Sequence, residues 1–302
     1  MSSALDELMA SSPLVWMDCA TGTELERRGL PAPLPLWTAD AALRAPEMLR
    51  QVHEDAIAAG AQIVTANTFR THPYTLRKAG RDSEAAALTQ AGVQAARDAC
   101  RRAHHGLVAG SIAPLEDCYH PERVPPLDVI RREHRLHVRN LVDASVDLLL
   151  VETMNTAREA HAAAVAALES DLPVWVSMIP APGGNGDLLS GEDLEVAFAP
   201  LWRLEAGGRR IGAFLVNCAP PATLLAALAR LATRGDDRPI GAYPNAGRPD
   251  AAMRWIADGT TPQAFAAWAR DAVAQGARIL GGCCGSGPEH LRAAVAVTTW
   301  SK

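Results

Sequence analysis

Eight short apolar runs recur along the 302 residues, each followed by an Ala- and Leu-rich segment of helical period. They are LVWMDC (14–19), AQIVTANTF (61–69), GLVAGSIAP (106–114) and VDLLLVETM (146–154), then PVWVSMIP (173–180), IGAFLVNCA (211–219), PIGAYPNAG (239–247) and ARILGGCCG (277–285). Near-continuous apolar strands belong to a parallel sheet covered on both faces, where neither side of a strand meets water. The intervening segments read as helices, such as SEAAALTQAGVQAARDACRRAHHG with a glycine stop at Gly106. Helix starts are marked by capping boxes at Thr156/Glu159 and Ser286/Glu289, and by Thr261 ahead of Pro262. Eight strand–helix units with no linker between them predict an α/β fold, a single (β/α)8 TIM barrel, with residues 1–302 as one domain. A doubly wound open sheet is the competing architecture, but no G-x-G-x-x-G follows the first strand.

Charge and composition narrow the partners. The net charge is −5, and the paired arginines are scattered rather than clustered, which excludes a nucleic-acid footprint. The N-terminus has no basic segment ahead of an apolar core, and no apolar run reaches the roughly 18 residues of a membrane span. A cytoplasmic protein is expected, with reduced thiols, so the six cysteines are not a disulfide framework. Adjacent cysteines also strain the ring that would bridge them.

A TIM barrel carries its site at the C-terminal ends of its strands. Those ends read Asp18-Cys19, Asn67-Thr68, Ser111, Glu152-Thr153, Ser177, Asn217-Cys218, Tyr243 to Asn245, and Cys283-Cys284. Cys218 closes the sixth strand and Cys283 and Cys284 the eighth, so the three can converge over one mouth. Consecutive strand residues point to opposite faces, and the flanking glycines supply the freedom to break that alternation. Three thiolates with one tetrahedral position open describe a catalytic zinc site. Buried cysteines acting as small hydrophobes remain the alternative on spacing alone. Packing accounts for Cys19 and Cys100, and Cys118 falls in a loop without an evident partner.

The segments MDCATGTELERRGL, VHEDAIAAGAQIVTANTF, LLLVETMNTAREA, LLSGEDL, VNCAP, YPNAG and GGCCG together resemble the homocysteine S-methyltransferase family. The likeness extends to betaine–homocysteine methyltransferase and the homocysteine-binding module of methionine synthase, and runs from about residue 14 to 297. It implies a zinc-dependent barrel whose three cysteinates map onto Cys218, Cys283 and Cys284. It also implies that Asp18 and Glu152 surround the homocysteine amino group. A carboxylate there would pair with the ammonium; for Asp18 a turn or cap before TGTE is the structural alternative. One departure stands out. Many relatives have glycine after the first-strand aspartate, whereas here Cys19 follows Asp18, and a fourth ligand from Cys19 would close the open position.

The resemblance implies an enzyme that methylates the zinc-bound thiolate of homocysteine to give methionine. The chain has no length for a cobalamin domain, so a sulfonium donor is expected: S-methylmethionine, with S-adenosylmethionine second. Rings available to face such a cation are Trp37, Phe69, Tyr74, Tyr119 and Tyr243, of which Tyr243 is best placed as a substrate-binding residue. His72 and His290 read as surface or capping histidines. Loops 115–128 and 181–193 are long enough to act as lids. Competing readings keep the zinc but change the acceptor to another thiol or a selenol, or the donor to betaine or a corrinoid protein. A non-catalytic zinc or redox barrel is the third.

Overall fold

A computed structural model describes residues 3–235, 237–250, 255–256 and 259–298. The eight apolar runs form β1 (Val15–Trp16), β2 (Ile63–Thr65), β3 (Leu107–Ile112), β4 (Leu148–Met154), β5 (Val174–Met178), β6 (Ala213–Asn217), β7 (Ile240–Tyr243) and β8 (Ala277–Leu280). All seven pairings in this sheet are parallel, in the order β1-β8-β7-β6-β5-β4-β3-β2. A parallel bridge between Met17 and Ile63 brings the two edge strands together and completes the ring. The fold is the expected (β/α)8 barrel.

Period-two alternation decides which residues face inward. Leu148 and Leu150 of β4, Ala213 and Leu215 of β6, and Val15, Ile63 and Ile279 pack together inside the barrel. Their neighbours Leu149, Val151, Phe214 and Val216 pack outward, against the helices. Both faces of each strand are therefore dry, which is why the runs are apolar throughout. Leu5, Leu8 and Met9 of the helix Ala4–Ser11 join the interior cluster. Arg278, at the start of β8, donates to the carbonyls of Met9 and Ser12, so this helix stops the N-terminal end of the barrel. The C-terminal end is left for the site.

Helix boundaries follow the expected signals in part. Thr261 accepts from the Ala264 N–H at 3.2 Å, ahead of Pro262. Thr156 caps its helix, but the carboxylate of Glu159 does not reach back. It accepts instead from the Leu115 N–H at 2.9 Å and lies 3.2 Å from His134 Nε2. The helix Ala85–Ala103 ends with His104 in the left-handed region, two residues before Gly106. Ser286 does not cap: its hydroxyl donates to the Cys283 carbonyl at 2.6 Å, and His290 Nδ1 takes the Gly287 N–H. His72 does cap, accepting from the Thr75 N–H, but it is buried rather than on the surface.

Candidate active site

A cavity of about 480 Å³ opens at the C-terminal mouth of the barrel, within the range of small-molecule sites. Three thiols meet in its wall. The sulfurs of Cys218, Cys283 and Cys284 all lie within 4.8 Å of one another, Cys218 buried and the other two half-buried. No other group of three metal-ligating side chains is this close among the described residues.

The backbone brings them together in two ways. Cys218 follows β6 directly and adopts a left-handed conformation (φ 58°), which ends the strand and turns its side chain over the mouth. Cys283 and Cys284 lie beyond β8, in a turn tied by Cys283 N–H to Pro244 O at 2.8 Å and Ala246 N–H to Cys284 O at 2.9 Å. Strand alternation thus does not apply to them. The glycines serve less as hinges than expected. Only Gly285 needs a positive φ (79°), and a Cβ there would come within 1.9 Å of the Ala246 carbonyl oxygen. At Gly282 the constraint is room alone, since a Cβ would sit 2.1 Å from Ser286 Oγ.

The three thiols are close enough together to hold a cation. Interaction with Cys118 first, then with Cys283, together with burial, pushes the Cys218 thiol well above its ordinary range. Cys218 pulls the Cys283 thiol down, but Cys284 and burial outweigh it and raise Cys283, while Cys218 and burial raise Cys284 against the pull of Cys283. Their protons are hard to lose to water, and a divalent ion is the natural replacement. A tetrahedral thiolate site with bonds of about 2.3 Å sets sulfurs roughly 3.8 Å apart, compatible with three sulfurs all within 4.8 Å of one another.

Two carboxylates share the same cavity. Asp18 accepts from the Thr65 N–H at 2.8 Å and the Thr65 hydroxyl at 3.0 Å, so it is neither a cap nor a turn residue. Burial pushes its carboxyl up to about 8 against the pull of those bonds, and the nearby Glu152 adds to the rise. Glu152 accepts from the Ser111 hydroxyl and from the Tyr243 hydroxyl at 3.2 Å. Burial lifts it to about 7 despite both bonds. Just after Glu152, Thr153 takes a left-handed φ of 58°, and the β4–β5 register shifts between Val151 and Met154. Asn217 holds that irregularity, donating to Thr153 Oγ1 at 2.8 Å and accepting from the Thr153 N–H at 3.2 Å.

The rest of the wall mixes expected and unexpected residues. Trp37, Phe69, Tyr119 and Tyr243 line the cavity. Tyr74 does not; its hydroxyl donates to Glu116 at 2.8 Å and its ring packs against the Leu115–Ile130 cluster. Trp255, on the hairpin strand Trp255–Ile256 that pairs with Arg248–Pro249 after β7, joins the wall without having been anticipated. Cys118 also lines the cavity, and Tyr119 Oη sits 3.3 Å from Cys218 Sγ. The available signal was topological: the loop after β3 opens onto the same mouth as β6. Cys19 lines the cavity but donates to the Gly287 carbonyl at 3.3 Å, outside the three-thiol group. Loop 115–128 reaches the cavity through residues 117–119, whereas no residue of 181–193 lines it. Arg230 pins that second loop to the barrel flank through Asp187 and Asp193.

Known proteins are similar to this chain along nearly its whole length. The model of the homocysteine S-methyltransferase family matches residues 15–298. The chain is 30% identical to homocysteine S-methyltransferase of Escherichia coli strain K12, covering 97% of both. It is 28% identical to homocysteine S-methyltransferase YbgG of Bacillus subtilis strain 168, covering 99% of this chain and 98% of that one. The same identity relates it to the selenocysteine methyltransferase of Astragalus bisulcatus, over 90% of this chain and 88% of that protein. The crystal structure of the metallated form of the E. coli homocysteine methyltransferase MmuM superposes with a TM-score of 0.81 at 29% identity, covering 97% of this chain and 99% of that one. With fold, thiol cluster and end-to-end similarity in agreement, the chain belongs to the homocysteine S-methyltransferase family.

Proposed function

We propose that this protein transfers a methyl group from a sulfonium donor to the sulfur of homocysteine, giving methionine, at a zinc ion held by Cys218, Cys283 and Cys284. The observation that carries the reading is the meeting of three thiols and two buried carboxylates on one cavity. Bound there, zinc would lower the pKa of the acceptor thiol, supplying a nucleophile at neutral pH. Asp18 and Glu152 orient the acceptor by taking its ammonium, whose positive charge also relieves their mutual repulsion. The rings of Tyr119 and Tyr243 exclude water from the path. The acceptor sulfur's electron pair forms the new S–CH3 bond, and the pair of the breaking bond leaves with the donor sulfur. An anion and a cation become two neutral thioethers, so a dry cavity favours the step. With S-methylmethionine both products are methionine.

The likeness to a selenocysteine methyltransferase supports a second acceptor of the same geometry, a selenol in place of the thiol. A donor panel against homocysteine and selenocysteine separates the two. Methionine formation from S-methylmethionine, weaker turnover with S-adenosylmethionine and none with methyltetrahydrofolate alone is the expected result. The absence of a betaine-dependent or corrinoid-dependent reaction in the same panel removes those donors. The protein is expected to work in the cytoplasm; among the described residues no helix is long and apolar enough to cross a membrane.

A further inference from the structure

The thiols, Asp18 and Glu152 account for the chemistry of the inner wall. They leave a cationic side chain of the cavity unused, together with Glu26 and Asp117. Arg70 is the only lysine or arginine among the described residues that line it, in a wall that carries four carboxylates: Asp18, Glu26, Asp117 and Glu152. Its side chain is 12% exposed, and its closest carboxylate, Asp117, stands 3.9 Å away, at the limit of an ion pair. Its Nε is buried with no hydrogen-bond partner. The guanidinium carbon lies 5.9 Å from the centre of the Phe69 ring, a distant contact for a stacked cation.

A guanidinium presents five donors in a planar fork, and leaving part of it buried and unbonded is costly. Its presence is odder still in a cavity that has to admit a sulfonium, because two cations repel where water is scarce. The repulsion is offset, and the terminal amines of the guanidinium gain an acceptor, if the incoming donor brings a carboxylate. Asp117, beside Arg70, offers the opposite charge for an ammonium on the same molecule. Asp117 and Tyr119 are two residues apart on the loop after β3, and Tyr119 Oη stands 3.3 Å from Cys218 Sγ. Arg70, Asp117 and Tyr119 all line the cavity that holds the three thiols, so one loop borders both the guanidinium and the sulfurs.

We propose that Arg70 and Asp117 form the socket for the α-amino-acid end of the methyl donor, Arg70 taking its carboxylate and Asp117 its ammonium. The inference rests on the methyltransferase reading and adds to it: the donor is recognised as an α-amino acid, so S-methylmethionine and its close relatives are taken and a sulfonium without the zwitterionic end is not. Asp18 and Glu152 stay with the acceptor.

The test uses the metal-loaded enzyme and the variants Arg70→Gln, Arg70→Lys and Asp117→Asn. Loss of a charged hydrogen-bond pair predicts that Arg70→Gln raises KM for S-methylmethionine about ten- to hundredfold. KM for homocysteine should change less than twofold, and Arg70→Lys should recover part of the loss. Trimethylsulfonium, which lacks the amino-acid end, should be used equally poorly by the parent and by Arg70→Gln. Calorimetric titration of S-methylmethionine without homocysteine should show the same ratio in Kd, with no turnover involved. An unchanged Kd for S-methylmethionine in Arg70→Gln overturns the socket. So does a rise confined to the homocysteine KM, which would give Arg70 to the acceptor. Should no donor support turnover, the methyltransferase reading falls, and the calorimetric ratio still decides the role of Arg70.

Discussion

Glu152 shows how burial and function are traded at a single residue. Its carboxyl sits at about 7 rather than the ordinary 4.5, raised by burial against hydrogen bonds from Ser111 and Tyr243. A carboxylate raised on folding stabilises the fold only while protonated. That contribution is complete below pH 4.5 and is lost as pH rises through about 7. The metal-loaded protein without substrate should therefore lose stability across that window, and Glu152→Gln, which cannot ionise, should melt higher than the parent at pH 8. The gain is on the order of 1–3 kcal/mol, read as a Tm shift. The same substitution should weaken homocysteine binding about ten- to hundredfold while zinc content stays constant. In the parent, homocysteine affinity should strengthen as pH rises through about 7, when Glu152 becomes charged. A variant that binds homocysteine normally would leave Glu152 with a structural role alone. At this scale the sequence was partly legible. Acidic residues at strand ends stood out because nothing in packing calls for them. The partners of Asp18 and Glu152, on β2, β3 and β7, depend on barrel closure and left no local mark. Arg70 was equally silent, being one arginine among many.

At the scale of elements, the turn after β8 does the most with the fewest residues. Residues 281–287 set two thiols toward Cys218 while packing beneath the loop after β7. Gly285→Ala should disrupt this turn, since it meets both a positive φ and a backbone oxygen that cannot move aside. A cost of about 1–3 kcal/mol for the strained conformation alone is expected, with reduced metal content and far-UV circular dichroism close to the parent. Full metal occupancy in Gly285→Ala would mean that the turn tolerates a Cβ and does not set the cluster geometry. The strands were readable because a doubly covered parallel sheet demands uninterrupted apolar runs, and LLLVETM is buried along its length. Helix starts were readable only where the cap acts locally, as at Thr261. Ser286 and Glu159 carry the right spacing for capping boxes, but Ser286 bonds back to the Cys283 carbonyl within its own turn, and Glu159 serves tertiary contacts with Leu115 and His134. The loop 181–193 looked like a lid from its length and glycines, whereas ion pairs to Arg230 hold it away from the mouth.

For the molecule as a whole, the barrel interior, dry along eight strands, supplies most of the order, and the thiol cluster sits at its edge. The interior cluster runs from the N-terminal helix up to Met17 and Tyr243, with Cys283 packed against it, while the three cysteines themselves lie just beyond the strands. Chelation should therefore abolish methyl transfer while leaving most of the helical signal, and readdition of zinc should restore activity. Loss of the fold on chelation would contradict a fold ordered mainly by the barrel interior. We further propose that residues 1–302 unfold as one unit, visible as a single calorimetric transition whose midpoint rises with zinc. The central claim is that this cavity moves a methyl group from a sulfonium to homocysteine by means of its three cysteines. Its most direct measurement is the fate of an isotopically labelled methyl of S-methylmethionine, incubated with homocysteine and the zinc-loaded protein and followed by mass spectrometry. The account predicts one labelled methyl appearing in methionine for each homocysteine consumed, and none with Cys218→Ser. Zinc-loaded protein that forms no labelled methionine, or a Cys218→Ser variant that forms it at the parent rate, would contradict it.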